Sequence, residues 1–249
     1  MSALREYLLA FADDEHLMGQ QHTEWIGVAP FLEEDLAFAS IGQDELGHSV
    51  MLYELVCELD GVEPTDAVID SLAYGRGAAE YRSCALTERV TVDWAEALVR
   101  HWIYDSVEHM RWSLVAESSH ESLTAVSERV GREESYHRMH ADALLDALLP
   151  DAAASEAILA ALELWTPMVA GLLAPAEGED QLVSNRVLSA SSSSLLPNVA
   201  AAIEARFDVP VDLGDASTIA PRGPDRSLHF APLMTRMREV LDLDPNAQW

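Results

Sequence analysis

The sequence predicts an all-α protein organised around a four-helix bundle, with further helices after it. Three observations predict this. Apolar residues recur at helical spacing through long segments, and strand-like alternation is scarce. Two of the long segments also carry a Glu-x-x-His motif on their apolar stripe.

The first helix is expected over 3–28, with Leu4, Leu8, Phe11, Glu15, Met18 and Trp25 on one stripe. Pro30 breaks the pattern and restarts the chain. A second helix over 31–59 aligns Phe38, Ile41, Glu45, His48, Leu52 and Leu59, and Gly61 and Pro64 end it. Residues 65–90 are less periodic, with short helical pieces at 67–74 and 78–86. A third long helix over 92–117 aligns Trp94, Leu98, His101, Asp105, Glu108, Trp112 and Val115, up to a turn at Ser118 and Ser119. The fourth, over 121–149, aligns Leu123, Val126, Val130, Glu134, His137, Ala141, Leu144 and Leu148, and Pro150 stops it. Two more helices are expected at 152–173 and 178–207, with the serine-rich run 189–194 as the candidate break in the second. The prolines and glycines of 208–226 read as loop, and an amphipathic helix over 228–242 follows. The whole chain is expected to form one domain, with its core bundle at 3–149.

Composition narrows the function. Hydrophobic residues make up 49% of the 249, which excludes intrinsic disorder. No uninterrupted apolar run approaches the ~20 residues of a bilayer span, so no membrane partner is expected. The first residues, MSALREYLLAFADDEH, place acids where a signal peptide carries basic ones, so the expectation is a cytoplasmic protein. The net charge of −28 comes from 43 acids against 15 bases, and every base is arginine. Such a field repels phosphate backbones and disfavours nucleic acid. A dense carboxylate surface suits solubility in high salt, as in a halophilic source. Cys57 and Cys84 fit no zinc spacing and are expected as reduced helix residues.

The chemistry sits in two motifs, Glu45-Leu46-Gly47-His48 and Glu134-Ser135-Tyr136-His137. Residues three apart share a helix face, so each pair can grip one metal ion. A carboxylate on a buried stripe costs several kcal/mol unless something neutralises it. In an antiparallel hairpin, residues equidistant from the turn lie at equal depth. Glu15 and Glu45 stand 15 residues either side of Pro30, and Asp105 and Glu134 stand nearly equidistant from Ser119–His120. Each hairpin thus sets a carboxylate opposite a Glu-x-x-His, ~22 Å from its turn at 1.5 Å per residue. The candidate metal ligands are Glu15, Glu45, His48, Asp105, Glu134 and His137, with Asp44 and Glu108 behind them. Carboxylates and imidazoles without thiolates favour two iron ions, with manganese second. Other polar stripe residues take the ordinary reading: His101 and His109 as surface or satisfied residues, Glu133 and His140 as solvated. Trp25, Trp94 and Trp112 read as core, and Met18, Met110 and Met139 as packing.

At these residues the chain resembles the PaaA/PaaC family, the ferritin-like subunits of phenylacetyl-CoA 1,2-epoxidase. QDELGHS (43–49) and REESYHRMH (132–140) look like the two metal-binding helices of that family's catalytic subunit, and Glu15 and Asp105 fall at its other two carboxylates. Chain length, the segment EWIGVAPFLEEDLAFASIGQDELG (24–47) and the closing SLHFAPLMTRMREVLDLDPNAQW (227–249) look like the smaller partner subunit. In the best-known bacterial form of that smaller protein the iron ligands are partly lost and the role is structural. This sequence departs from it by keeping all six positions. The resemblance implies a ferritin-like fold, a hetero-oligomer with a larger PaaA-like subunit, a separate reductase, and an aromatic acyl-CoA substrate oxidised with O2 in phenylacetate catabolism; a homodimer is the alternative assembly. Three readings follow: an iron-bearing epoxidase subunit, a structural subunit whose ligand set survives without turnover, and a ferritin-like storage or oxidase protein.

Overall fold

A computed structural model describes residues 2–244, and every regular element among them is helical. The elements are α1 (Ala3–Thr23), α2 (Leu32–Asp60), α3 (Asp66–Tyr74), α4 (Ala85–Glu88), α5 (Trp94–Val115), α6 (Glu121–Leu148), α7 (Ala152–Leu172), α8 (Glu179–Ser184), α9 (Leu196–Phe207), α10 (Phe230–Met237) and α11 (Glu239–Leu243). The last residues of the 227–249 run, from 245 on, lie outside the described residues.

Local signals set several helix ends. The Ser2 hydroxyl accepts from the Arg5 amide and Asp93 from the Glu96 amide, so α1 and α5 start on a side-chain cap. Asp151 likewise caps α7. Gly61, at φ 66°, closes α2 in the left-handed conformation that glycine adopts without strain.

Helices α1, α2, α5 and α6 form a ferritin-like bundle. Cross-helix contacts fix its directions. Glu34, Asp44 and His48 of α2 meet His140, His137 and Glu133 of α6, so the two run antiparallel. Asp14 and Gln21 of α1 meet Arg111 and Arg100 of α5 in the same sense. The α1–α2 pair packs closest, on glycine. A Cβ added at Gly19 would lie 2.9 Å from the Gly42 carbonyl oxygen, and one at Gly42 would lie 3.0 Å from the Gly19 oxygen. Helix α7 lies on α5 and α4 through Ile158, Leu162, Trp165, Val169 and Leu172. By length and composition α7 could also cross a membrane, although it contains no uninterrupted apolar run of that length. One stripe of it packs on the bundle, 28% of the apolar window being buried, and Glu156 and Glu163 interrupt its apolar run.

The chain after α9 straps back over α1. Arg222 donates to the Leu172 and Arg82 carbonyls and pairs with Asp14 at 2.5 Å. Arg226 pairs with Glu88 at 2.9 Å. Leu17 and Tyr81 then meet Phe230, Leu233 and Met234 in a second apolar cluster.

Several expectations change. Helix α1 ends at Thr23 rather than 28, because Gly27 turns at φ 82° and Asp35 Oδ1 accepts from the Gly27 and Ala29 amides. The candidate break in 178–207 is present, although the helix already stops before the serine run: α8 ends at Ser184 and α9 begins at Leu196. Buried Glu179 accepts from Ala176 N, Ser191 Oγ and Ser192 N, which folds the serine run back. The 228–242 helix divides at Arg238. Cys84 is the residue before α4 rather than within a helix, while Cys57 lies in α2. Both thiols are free and buried. Trp25 and Trp94 are half-buried, edge to face at 5.2 Å, whereas Trp112 is core. Met139 is exposed.

The glycine seam predicts an asymmetric response. G19L should cost about 1–3 kcal/mol by overpacking and lower the melting temperature. G47A should be neutral or stabilising by about 0.5–1 kcal/mol, since nothing lies within 4 Å of the added Cβ. Thermal melts of both variants check this. The charge of −28 predicts a melting temperature that rises from dilute buffer to molar KCl, as salt screens the self-repulsion. A flat or falling trend contradicts it.

Candidate metal centre

Four helices each bring one carboxylate to the bundle axis: Glu15 from α1, Glu45 from α2, Asp105 from α5 and Glu134 from α6. All four are fully buried, as are His48 and His137. One ligand atom from each of Glu15, Glu45, His48 and Glu134 lies within 4.8 Å of the others, and the same holds for Glu45, Asp105 and His137. Glu45 belongs to both groups. Glu134 Oε1 lies 3.5 Å from His48 Nδ1 and 3.7 Å from His137 Nδ1, so it too faces both. His48 Nδ1 is 3.5 Å from Glu15 Oε2, and His137 Nδ1 is 3.8 Å from Glu45 Oε1.

The donor atoms fit metal ions. Every carboxylate oxygen of Glu15, Glu45, Asp105 and Glu134 lacks an aligned hydrogen-bond partner, and so does Nδ1 of both His48 and His137. Buried polar atoms are nearly always satisfied, so a concentration of orphans at one point makes these residues a candidate coordination shell. Most of the chain's other buried acids pair with arginine, and Glu179 is held by backbone amides and serine hydroxyls. Asp13 is held by Arg76 and the Tyr53 hydroxyl, and Asp14 by Arg111 and Arg222. One residue further on, Glu15 has no arginine. Among the described residues, the ion-pair partners of the four cluster carboxylates are histidines alone.

Electrostatics agree. Burial raises the Glu45 carboxyl well above its usual range, and Glu15 adds to this. Glu134 is raised in the same way, by burial and then by Glu15 and Asp105. At Glu15 burial is outweighed by polar contacts with Glu45 and His48, which pull the carboxyl down to about 2. Without a cation the cluster therefore favours ionised Glu15 while Glu45 and Glu134 are pushed toward protonation.

The outer nitrogens of the two histidines are braced across the α2–α6 seam. His48 Nε2 bonds Glu133 Oε2 at 2.9 Å, and His137 Nε2 lies 3.3 Å from Asp44 Oδ2. Each brace comes from the helix opposite, and each is the acid immediately before a Glu-x-x-His. Holding Nε2 leaves Nδ1 turned inward. Glu133 therefore does more than meet solvent. The repeated acid-Glu-x-x-His pattern is the signal that could have found it. Glu108, one turn past Asp105, pairs through Oε1 with Arg111 at 2.7 Å. His101 is fully buried, with Nδ1 2.9 Å from Asp105 Oδ2. His140 is half-buried against His101 and Glu34, and burial pulls it down to about 4. His109 is exposed. Tyr104 is also buried, its hydroxyl unpartnered and its ionisation suppressed by burial and then by Glu108, Glu15 and Glu45.

An all-helical bundle with a buried carboxylate–histidine cluster defines the class of ferritin-like proteins with a candidate di-metal centre. Within that class the chain belongs to the family described as phenylacetic acid catabolic protein (PaaA_PaaC), which it matches over residues 1–249. It is 31% identical over 137 residues to the C subunit of 1,2-phenylacetyl-CoA epoxidase from Escherichia coli (strain K12). That match spans 55% of this chain and 54% of the relative, about half the length of each.

The crowding predicts a stability trade. A carboxyl whose folded pKa is raised favours the fold below its unfolded pKa and loses that contribution as pH rises through the folded value. Metal-free E45Q should therefore melt above the metal-free parent at pH 7, by several degrees. The gap should narrow as pH falls toward about 4.5, near the ordinary glutamate pKa. Added ferrous iron should raise the parent's melting temperature and leave that of E45Q nearly unmoved. Melting curves with and without metal at pH 5 and 7 check both signs.

Proposed function

We propose that this chain is an iron-bearing subunit of a multicomponent oxygenase that epoxidises the ring of an aromatic acyl-CoA thioester, phenylacetyl-CoA first. The observation that supports it most is the set of orphaned donors: all the oxygens of Glu15, Glu45, Asp105 and Glu134 and the inner nitrogens of His48 and His137. These six residues would hold two iron ions, Glu45 and Glu134 being the two carboxylates that stand near donors of both groups. Manganese is the second choice for the same donor set. A carboxylate-bridged di-iron pair supplies O2 activation when reduced.

The chain's own residues then have defined work. Glu133 and Asp44 hold the imidazoles so that Nδ1 faces the metals. Leu8, Phe11, Ile41, Leu52, Ile103 and Val130 make the surrounding bundle interior apolar, which keeps bulk water from the site. Arg111 ties Glu108 back to Asp14, which keeps that guanidinium on the α1 side of the cluster. Partners in this reading are a larger homologous subunit and a separate reductase.

A structural role is the second reading, favoured by the identity to the smaller epoxidase protein of Escherichia coli. Elemental analysis separates the two. About two irons per chain are expected after anaerobic ferrous reconstitution, with less than half of that in H48A or H137A. Assembled with its larger partner and reductase, the H48A–E45A double variant should lose most acyl-CoA-dependent oxygen uptake. No bound metal in the parent would leave the structural reading, and a homo-oligomer that accumulates many irons per chain would point to storage.

A further inference from the structure

Asp105 has the shortest arm of the four cluster carboxylates, so its reach to a metal depends most on how its side chain is held. His101 stands four residues before it on α5, on the same face, with Nδ1 2.9 Å from Asp105 Oδ2. Both residues are fully buried. The His101 ring is walled by Phe38 at 5.2 Å and His22 at 5.1 Å between ring centres. Its far nitrogen, Nε2, lies 3.4 Å from His140 Nδ1 on α6, and His140 Nε2 lies 3.0 Å from Glu34 Oε2 on α2. Three helices thus contribute to one polar line that starts at the cluster and ends at a glutamate whose side chain is 12% exposed.

We propose that His101, backed by His140 and Glu34, is the positioning residue for Asp105 and fixes that carboxylate as a ligand of the metal shared with Glu45 and His137. The inference rests on the metal reading above. The line differs from the braces on His48 and His137. Those hold imidazole ligands through an acid, whereas this one holds a carboxylate ligand through an imidazole. The tautomers that serve Asp105 carry hydrogen on Nδ1 of both rings: His140 then donates to His101, and the His101 Nδ1–H stands 2.9 Å from the carboxylate, a contact not aligned as a hydrogen bond. His140 Nε2 is then an acceptor, so this arrangement requires the proton between it and Glu34 to sit on the carboxyl, the direction in which burial moves Glu34. The ring cannot swing away from Asp105 without breaking the His140 contact and displacing Phe38.

Cobalt(II) titration of the metal-free protein under argon tests this, with bound metal counted after gel filtration and coordination followed by the visible d–d bands. The parent should bind two cobalt ions. H101F and H140F, which keep ring bulk, should bind one ion as the parent does and the other about 10–100-fold more weakly, with an altered spectrum. E34Q keeps a donor to His140 and should stay near the parent, while E34L should follow H140F. If H101F does not fold, H140F and E34L decide, since both positions lie at the outer end of the line. Two ions bound with parental affinity and spectrum in H140F and E34L overturn the proposal while the metal reading stands. A parent that takes up no cobalt overturns the metal reading, and this inference with it.

Discussion

Four carboxylates meet at the axis of the bundle with histidines but no arginine among them, and the structure around them is arranged on that constraint. A buried carboxylate without a partner costs several kcal/mol. The chain has arginines to spare for acids nearby, since Asp13 and Asp14 are both paired with guanidinium groups that sit in the interior. It does not extend that solution to Glu15. On the proposed reading a pair of divalent ions would bring the neutralising charge, held by the orphaned oxygens and the two inward nitrogens.

The rest of the bundle positions that cluster. The Gly19–Gly42 contact draws the backbones of α1 and α2 together, which sets Glu15 beside Glu45 and His48. The arginines Arg111 and Arg222 anchor α1 to α5 and to the C-terminal strap through Asp14, one residue from Glu15. The stable ion pairs therefore frame the unstable cluster. Native metal sites often keep local destabilisation of this kind, offset by packing elsewhere.

Much of this is legible in the sequence, for a geometric reason. Helical stripes and hairpin depth depend only on period and on turn position, so Glu15 and Asp105 can be found by counting from Pro30 and from Ser119–His120. What is not legible depends on other helices. Glu133 looks solvated on α6 alone and becomes a brace only when His48 lies across the seam. His101 reads as a spare stripe residue until His140 and Glu34 arrive from two other helices. The break within 178–207 is flagged by its serine run, but the side chain that holds that run, Glu179, is not. The end of α1 is hidden for a local reason: Pro30 is the conspicuous breaker, yet Gly27 and Asp35 turn the chain earlier.

The two hairpins are interlocked in a way that bears on function. The α1–α2 hairpin supplies His48, but Glu133 of the other hairpin holds it. The α5–α6 hairpin supplies His137, but Asp44 of the first holds it. Neither half can orient its own imidazole. A centre kept only by inheritance needs no such crossed braces, because unused side chains are free to drift to arginine pairs or apolar residues. Both braces sit beside intact ligands, and the line from Glu34 through His140 and His101 adds a third at Asp105. That cost in buried polar groups makes sense if the ions are held in one arrangement. On the proposed reading, such fixed geometry suits a protein that presents two ions to oxygen better than one that only stores metal.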